Sequence, residues 1–556
     1  MRKKKEYVIV SLFILLLSLV FTAEFWIQPG LPATFDGPIH ITMIAQFYRA
    51  LSEGDFPVRW ADGFGNYGMP MPLIHQQLAA YIGAILTFLV RDVVVSYHLV
   101  YLLAAFFSSL FFYQFLRIHF TVLPSLAGMI LFHFAPYRIF NVFVRGAQPE
   151  FVGALFIPLI LIAINRIVNQ QTLSGFVLFV IATLFLILSH PFLLVIGSLL
   201  FIPYTLFLLF QTKHKVRIVS ILLLGGGLGA MIAGYYLVPL IREIDYFYYG
   251  MERNHLMEGQ FLSWQNFFDN RWFYFYKEGE LTRGNFIPVG LPETLLFLGS
   301  AITFLILILR SKLQKSILIP VVLSGILFIF FTLKSSEFVY RNVNFLSAIQ
   351  HPWRMLSGFM FIPPIILAYA LQYFHRWAWY ALIGILLMVG FFRFPQLYGK
   401  NNRMYTQEEF FFTRENLAAT VLNTIWTGVT RDYPVHNEKI GIIEGTGNII
   451  ESTIRNSSRQ YIVDTAEPLR LVDYTFYFPG WKVYVDGVPE EIEFQDPNFR
   501  GVITYRVSAG LHTILLRFEN TKTRSVGLLV SSIGLLLFVI TIVLVRKNRW
   551  MFFHMV

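Results

Sequence analysis

Four short stretches of the chain set acids, imidazoles and guanidiniums beside the glycines and prolines that irregular backbone needs. The first is Thr34-Phe35-Asp36-Gly37-Pro38-Ile39-His40. Pro38 suits the first turn of a helix, and Asp36 stands where an N-cap stands. Asp36 and His40 are four residues apart, so both fall on one side of that helix start. A carboxylate so placed either caps the helix or takes a proton from a hydroxyl as general base. Met43, Ile44, Phe47 and Leu51 then line one apolar face and Gly54 ends the pattern, which predicts an amphipathic helix at a membrane surface. Arg59 and Tyr67 follow in a loop rich in Gly, Pro and aromatics, the kind of backbone that packs near a site, although Trp60 and Tyr67 read equally well as interfacial belt residues.

The other three stretches are Arg145-Gly146-Ala147-Gln148-Pro149-Glu150, Ser189-His190-Pro191 and Gln350-His351-Pro352-Trp353-Arg354. Each borders an apolar run. An ionised side chain costs roughly 2.5–3.5 kcal/mol at a bilayer centre, so charges kept near a membrane tend to have a function. Arg145 and Arg354 read either as snorkelling anchors or as ligands that hold a phosphate bidentately. His190 alone reads as readily as a satisfied helix-end residue. There is no cysteine, which removes disulfides, thiolate metal sites and Cys nucleophiles. No P-loop or dinucleotide-binding glycine pattern occurs, so ATP is not indicated.

The elements that must carry these groups follow from composition. Of 556 residues, 56% are hydrophobic and only 14% charged, which excludes a single soluble core and a disordered chain. Apolar runs predict about twelve spans, near 7–26, 94–116, 121–137, 149–167, 173–189, 192–211, 218–241, 291–309, 316–333, 355–373, 377–392 and 525–545. The run 78–90 is too short to cross and is expected to stay outside, as an interfacial or re-entrant helix. The net charge of +11 then has a membrane explanation rather than a nucleic-acid one. Arg2, Lys3, Lys4, Lys5, Arg117, Arg166, Lys213, Lys215, Arg217, Arg310, Lys312, Lys315, Arg376, Arg546, Lys547 and Arg549 collect on one side, with Glu6 the only acid among them. Both termini are thereby expected in the cytoplasm, and all four chemical motifs outside it. The regions expected are a membrane part, 1–392, with an outer loop 27–93; an outer β-rich domain, 393–524; and a last span with a cytoplasmic tail, 525–556. In the β-rich part, Trp481, Val483 and Val485 alternate before an Asp486-Gly487 turn, and His512, Ile514, Leu516 and Phe518 alternate after Gly510, which predicts a small β-sandwich.

Phe35-Asp36-Gly37-Pro38-Ile39-His40, Gly54-Asp55-Phe56-Pro57-Val58-Arg59-Trp60 and Gly68-Met69-Pro70 resemble the first-loop signature of membrane glycosyltransferases of the GT-C fold. The branch most resembled is that of the YfhO-like proteins and of the membrane proteins labelled "6-pyruvoyl-tetrahydropterin synthase-related", a label that implies no pterin chemistry. The 350–354 motif and Tyr477-Phe478-Pro479-Gly480-Trp481, in the outer β part, resemble that branch too. The resemblance implies inverting transfer of a sugar from a polyprenyl-phosphate donor to an envelope polymer or lipid outside the cytoplasm. Asp36 is then the base, with His40 beside it. Arg354, with Arg59 or Arg145, holds the donor phosphate, while Tyr67, Glu150, His190 and Gln350 line the substrate site. No cofactor is required. Some GT-C enzymes carry a second acid or a metal here, but Gly37 follows Asp36, so a divalent metal is an option only. The rival reading is a transporter or flippase of lipid-linked saccharides. That reading asks for ionisable groups deep in spans and paired broken helices, and the one-sided polar motifs favour surface chemistry.

Overall fold

The computed structural model describes the chain apart from residues 1, 249–259, 269–288, 310–315, 344–345, 347–348, 374–377, 399–403, 405, 412–422, 428–432, 435 and 548–556. The expected basic segments 310–315 and 374–376, and Arg549, lie outside the described residues.

Among the described residues, eight helices are long and apolar enough to cross a membrane: Val93–His119, Val122–Arg145, Gln148–Gln170, Pro191–Leu209, Lys215–Ile232, Pro352–Tyr373, Trp379–Leu397 and Lys522–Arg546. Each lies on one of the expected spans. The expected 173–189, 291–309 and 316–333 fall on shorter apolar helices, and 7–26 on the helix Arg2–Phe21, whose first turn is charged. Two boundaries depart from expectation for local reasons. The run 121–137 continues past Pro136 to Arg145 through a π-helical turn, so Arg145 ends a span instead of sitting in a loop. The run 218–241 breaks at Ala233 into Lys215–Ile232 and Gly234–Glu243. At that break the last span crosses closely. A Cβ on Gly527 would stand 2.9 Å from the carbonyl of Gly234, and Ser531 bridges the gap, accepting from Tyr235 N–H at 2.7 Å and donating to Ile232 O at 2.8 Å. Small residues allow that backbone approach.

The helix Leu78–Val90 has 13 residues, or about 20 Å, against roughly 30 Å of hydrocarbon. It stops at Arg91, which is left-handed, and the next helix starts at once because Asp92 accepts a capping bond from Val95 N–H at 2.8 Å. At the far end of the helices Glu6 meets Arg117 at 2.9 Å and His119 bonds the Tyr204 hydroxyl at 2.9 Å.

The C-terminal region forms two antiparallel sheets. Strands β1 (Ile440–Glu444), β4 (Leu469–Phe476) and β7 (Val502–Val507) make one. Strands β2 (Gly447–Ile454), β3 (Ser458–Thr465), β8 (Gly510–Phe518), β5 (Trp481–Val485) and β6 (Val488–Glu490) make the other. Asp486 and Gly487 have positive φ of 51° and 83°, the two-residue turn that the sequence predicts between β5 and β6. Tyr461, Val463, Leu471, Trp481, Ile503, Tyr505, Ile514 and Leu516 from both sheets share one apolar cluster. Trp60, Phe64 and Tyr67 of the first loop belong to that same cluster, so loop and sheets are one core.

Polar bonds fix that junction. Asn456 Nδ2 donates to Asp55 at 2.9 Å and to Trp60 O at 3.0 Å, and Ser457 donates to Asp55 at 2.7 Å. The buried Asp62 meets Arg459, Lys439 at 3.2 Å and Arg49 at 3.4 Å. Burial pushes its carboxyl pKa up, but Arg459, Lys439 and Arg49 together outweigh burial and hold it below the ordinary value. Removing one partner of such a buried set leaves the other charges uncompensated. Asp62→Ala is therefore expected to weaken the junction by about 3–5 kcal/mol. The measurement is a lower melting temperature together with faster proteolytic release of the sheet region; unchanged values would contradict it.

Candidate functional site

The Asp36 loop is built against the turn that ends one span and starts the next. Phe35 N–H donates to Val144 O at 3.3 Å and Asp36 N–H to Arg145 O at 2.7 Å. Glycine makes this approach possible. A Cβ on Gly146, at φ 69°, would stand 2.4 Å from Thr34 Oγ1 and 2.6 Å from Gly37 N. One on Gly37 would stand 2.3 Å from Thr34 Oγ1. Asp36 occupies the N-cap position of the helix Gly37–Ser52, yet its side chain makes no capping bond. Of the two readings of that acid, capping is the one that the geometry removes.

The carboxylate turns instead to Arg145, whose Nη2 lies 3.8 Å away. Arg145 is held from three sides. Nη1 donates to Glu150 at 2.7 Å and to Asn141 at 2.9 Å, and the guanidinium lies 4.8 Å from the Trp353 ring centre. Glu150 also accepts from the Tyr137 hydroxyl at 2.7 Å and from Asn141 at 3.3 Å, and Arg354 Nε approaches it to 4.0 Å. Gln350, itself at φ 63°, accepts from Arg354 Nη1 at 3.1 Å. The Asp36 side chain keeps 41% of its surface accessible, whereas Arg145, Glu150 and Arg354 keep 8%, 2% and 12%. One open acid thus faces a buried cationic wall.

On the other flank His40, on the first turn after Asp36, lies with its ring centre 5.2 Å from that of His75. His75 and His190 each bury an Nδ1 that has no hydrogen-bond partner among the described residues. His190 follows the C-terminus of the helix Leu173–Ser189 and feels the charges of Glu150, Arg354 and Arg145. Burial holds the His40 pKa well below the ordinary imidazole range, with His75 adding to it, and burial takes His75 to about 4. Both rings are neutral at pH 7. Although Asp36 keeps an open face, the protein packed around the rest of it displaces enough water to raise its pKa above the ordinary carboxylate value, against the pull of Arg145 and then Arg354.

The structure thus brings together Asp36, His40, Arg145, Glu150, His190, Gln350 and Arg354. Two expected members go elsewhere. Tyr67 is buried under the sheets, stacked on Phe476 at 4.7 Å, with its hydroxyl donating to Pro434 O at 2.9 Å. Arg59 lies beside Tyr81 and feels Arg524 and Glu243 rather than the cluster. Sequence reading passes over His75, Tyr137 and Asn141. The last two precede Arg145 at steps of four, a helical face that was available as a signal; His75 lies in an irregular turn with none. Among the described residues no group of three or more His, Asp or Glu is placed to hold a metal ion.

These features define a multi-pass membrane protein. Residues 76–303 match the model of a family described as "6-pyruvoyl-tetrahydropterin synthase related domain; membrane protein". An uncharacterized protein of Lactococcus lactis subsp. cremoris (strain MG1363) is 22% identical over 283 residues, 49% of this chain and 45% of that protein. The chain therefore matches less than half of that relative's length.

Gly146→Ala forces a left-handed alanine against Thr34 Oγ1 and the backbone of Gly37 in the Asp36 loop. It is expected to cost about 1–3 kcal/mol of stability, read as a lower melting temperature in detergent; a neutral effect would disprove the close approach. The imidazoles set a second outcome. Groups whose folded pKa is lowered contribute stability that is present above their ordinary value near 6.5 and lost as pH falls through the folded one. The melting temperature should fall between pH 6.5 and 4.5, and His75→Gln should flatten that slope.

Proposed function

We propose that the protein is a membrane glycosyltransferase that moves a sugar from a polyprenyl-phosphate donor to an extracytoplasmic cell-envelope acceptor. The observation that carries this reading is the accessible carboxylate of Asp36, set beside two buried guanidiniums that share one buried acid, Glu150. Asp36 accepts the proton of the acceptor hydroxyl. The oxygen then bonds the anomeric carbon from the face opposite the phosphate, and the carbon–oxygen bond to the phosphate breaks with its electron pair going to the phosphate. As Asp36 loses its charge, the leaving phosphate gains one, and Arg145 and Arg354 meet it. A base with a raised pKa takes the proton more readily. A buried guanidinium pair recognises phosphate without reorganising at the moment of reaction.

The test uses the purified full chain with a polyprenyl-phosphate sugar and candidate acceptors. Asp36→Asn should lower kcat by about 10²–10⁴ while melting stays unchanged; undiminished turnover removes Asp36 as base. Activity should rise with pH through the raised Asp36 value. Arg354→Gln removes a charge that lowers this value, so the acidic limb of the profile should move to higher pH. Movement of the lipid-linked sugar across vesicles with no acceptor, unaffected by Asp36→Asn, would favour transport over transfer.

A further inference from the structure

Away from the Asp36 cluster, two further guanidiniums, Arg524 and Arg59, stand near one acid, Glu243. Arg524, at the start of the last span, is fully buried. It donates to Glu243 through Nε at 3.2 Å and Nη2 at 3.1 Å, and its other donors go to Pro479 O at 2.7 Å and Glu519 O at 3.3 Å. Glu243 also accepts from Thr521 at 3.1 Å, so its two oxygens are engaged. Arg59 stands within electrostatic reach of both. Its Nε and Nη2 are buried and have no hydrogen-bond partner among the described residues. Burial first, and Arg524 next, lower its pKa to about 10, which leaves it charged at neutral pH. Glu243 is bound to Arg524, so Arg59 has no ion pair among the described residues, and buried donors left unmade are costly.

Beside Arg59, the Tyr81 hydroxyl accepts from Val58 N–H at 3.0 Å, which leaves its own proton to give. The surroundings are apolar and open. Phe56 is 75% exposed and packs its ring 6.0 Å from that of Tyr81, and on the Tyr81 helix Leu89 is 74% exposed. Ile241 and Val526, near Glu243 and Arg524 in the chain, are exposed as well. A cation set among exposed apolar side chains belongs at the level where hydrocarbon meets headgroup.

We propose that Arg59 and Tyr81 bind the phosphodiester of an anionic phospholipid headgroup, at a site separate from the Asp36 cluster. The partly buried Arg59 side chain turns outward to the phosphate, which supplies the acceptors its donors lack and takes the Tyr81 proton as a hydrogen bond, while the acyl chains lie along Phe56 and the Leu78–Val90 helix. This site does not depend on the glycosyl-transfer reading, and its test reads binding alone.

The experiment is a melting titration of the detergent-purified full chain with phosphatidylglycerol, with diacylglycerol (the same chains without phosphate) and with inorganic phosphate. Phosphatidylglycerol should raise the melting temperature, and neither of the other two should match it. Arg59→Gln should weaken the phosphatidylglycerol effect about tenfold or more in midpoint concentration, the loss expected when a charged hydrogen-bonding partner is removed. Tyr81→Phe, which keeps the packing, should weaken it less. An equal effect of diacylglycerol or of inorganic phosphate overturns the proposal, as does an unchanged midpoint in both variants. Should Arg59→Gln not fold, Tyr81→Phe with native mass spectrometry of bound lipid decides: retained phosphatidylglycerol stoichiometry and midpoint overturn it.

Discussion

Arg145 holds the candidate site together because it acts twice, once through its backbone and once through its side chain. Its carbonyl receives the N–H of Asp36, which fixes where the acid sits, and its guanidinium tethers Glu150 and faces the Asp36 carboxylate. A guanidinium at the end of a membrane span survives there only with acids and hydrogen-bond acceptors around it. Tyr137, Asn141, Glu150 and Trp353 supply that shell, and Arg354 is drawn to the same Glu150. The position of the acid and the burial of the cations are thus one constraint.

That constraint also explains how two opposed influences act on one group. Burial raises the pKa of Asp36, while Arg145 and Arg354 lower it, and burial wins. The acid keeps an open face although its neighbours do not. Such a balance suits a group that must be ionised before a reaction and neutral after it. The neighbouring imidazoles, kept neutral by burial, add hydrogen-bonding capacity without adding charge.

Much of the site was legible because polar residues at the ends of apolar runs are few and costly. Asp36 and His40 were paired by helical spacing, and Arg145, Glu150, His190 and Arg354 by their place at run ends. Arg59 and Tyr67 were grouped with them because they lie close in sequence, yet the loop carries Tyr67 under the sheets and Arg59 toward Tyr81. The β5–β6 hairpin was legible from Asp486-Gly487 alone, since that turn is a local matter. The Asp62 network was not, because its partners Lys439 and Arg459 lie in strand-region sequence with no mark of where they dock. The break at Ala233 was hidden for a similar reason: hydropathy runs through it, and the crossing at Gly527 and Ser531 that meets it lies about three hundred residues away.

The bonds between the first loop and the sheets join residues about four hundred positions apart, 401 for Asn456 and Asp55 and 397 for Arg459 and Asp62. During synthesis the loop leaves the ribosome long before its counterpart exists. The ring they form cannot close until both ends exist, by which point the intervening helices have been made. The amphipathic helix that begins next to Asp36 therefore gains its distal anchorage only once residues 456–459 have been made. Maturation of the acid's surroundings is in this sense deferred until the sheet region has been synthesised.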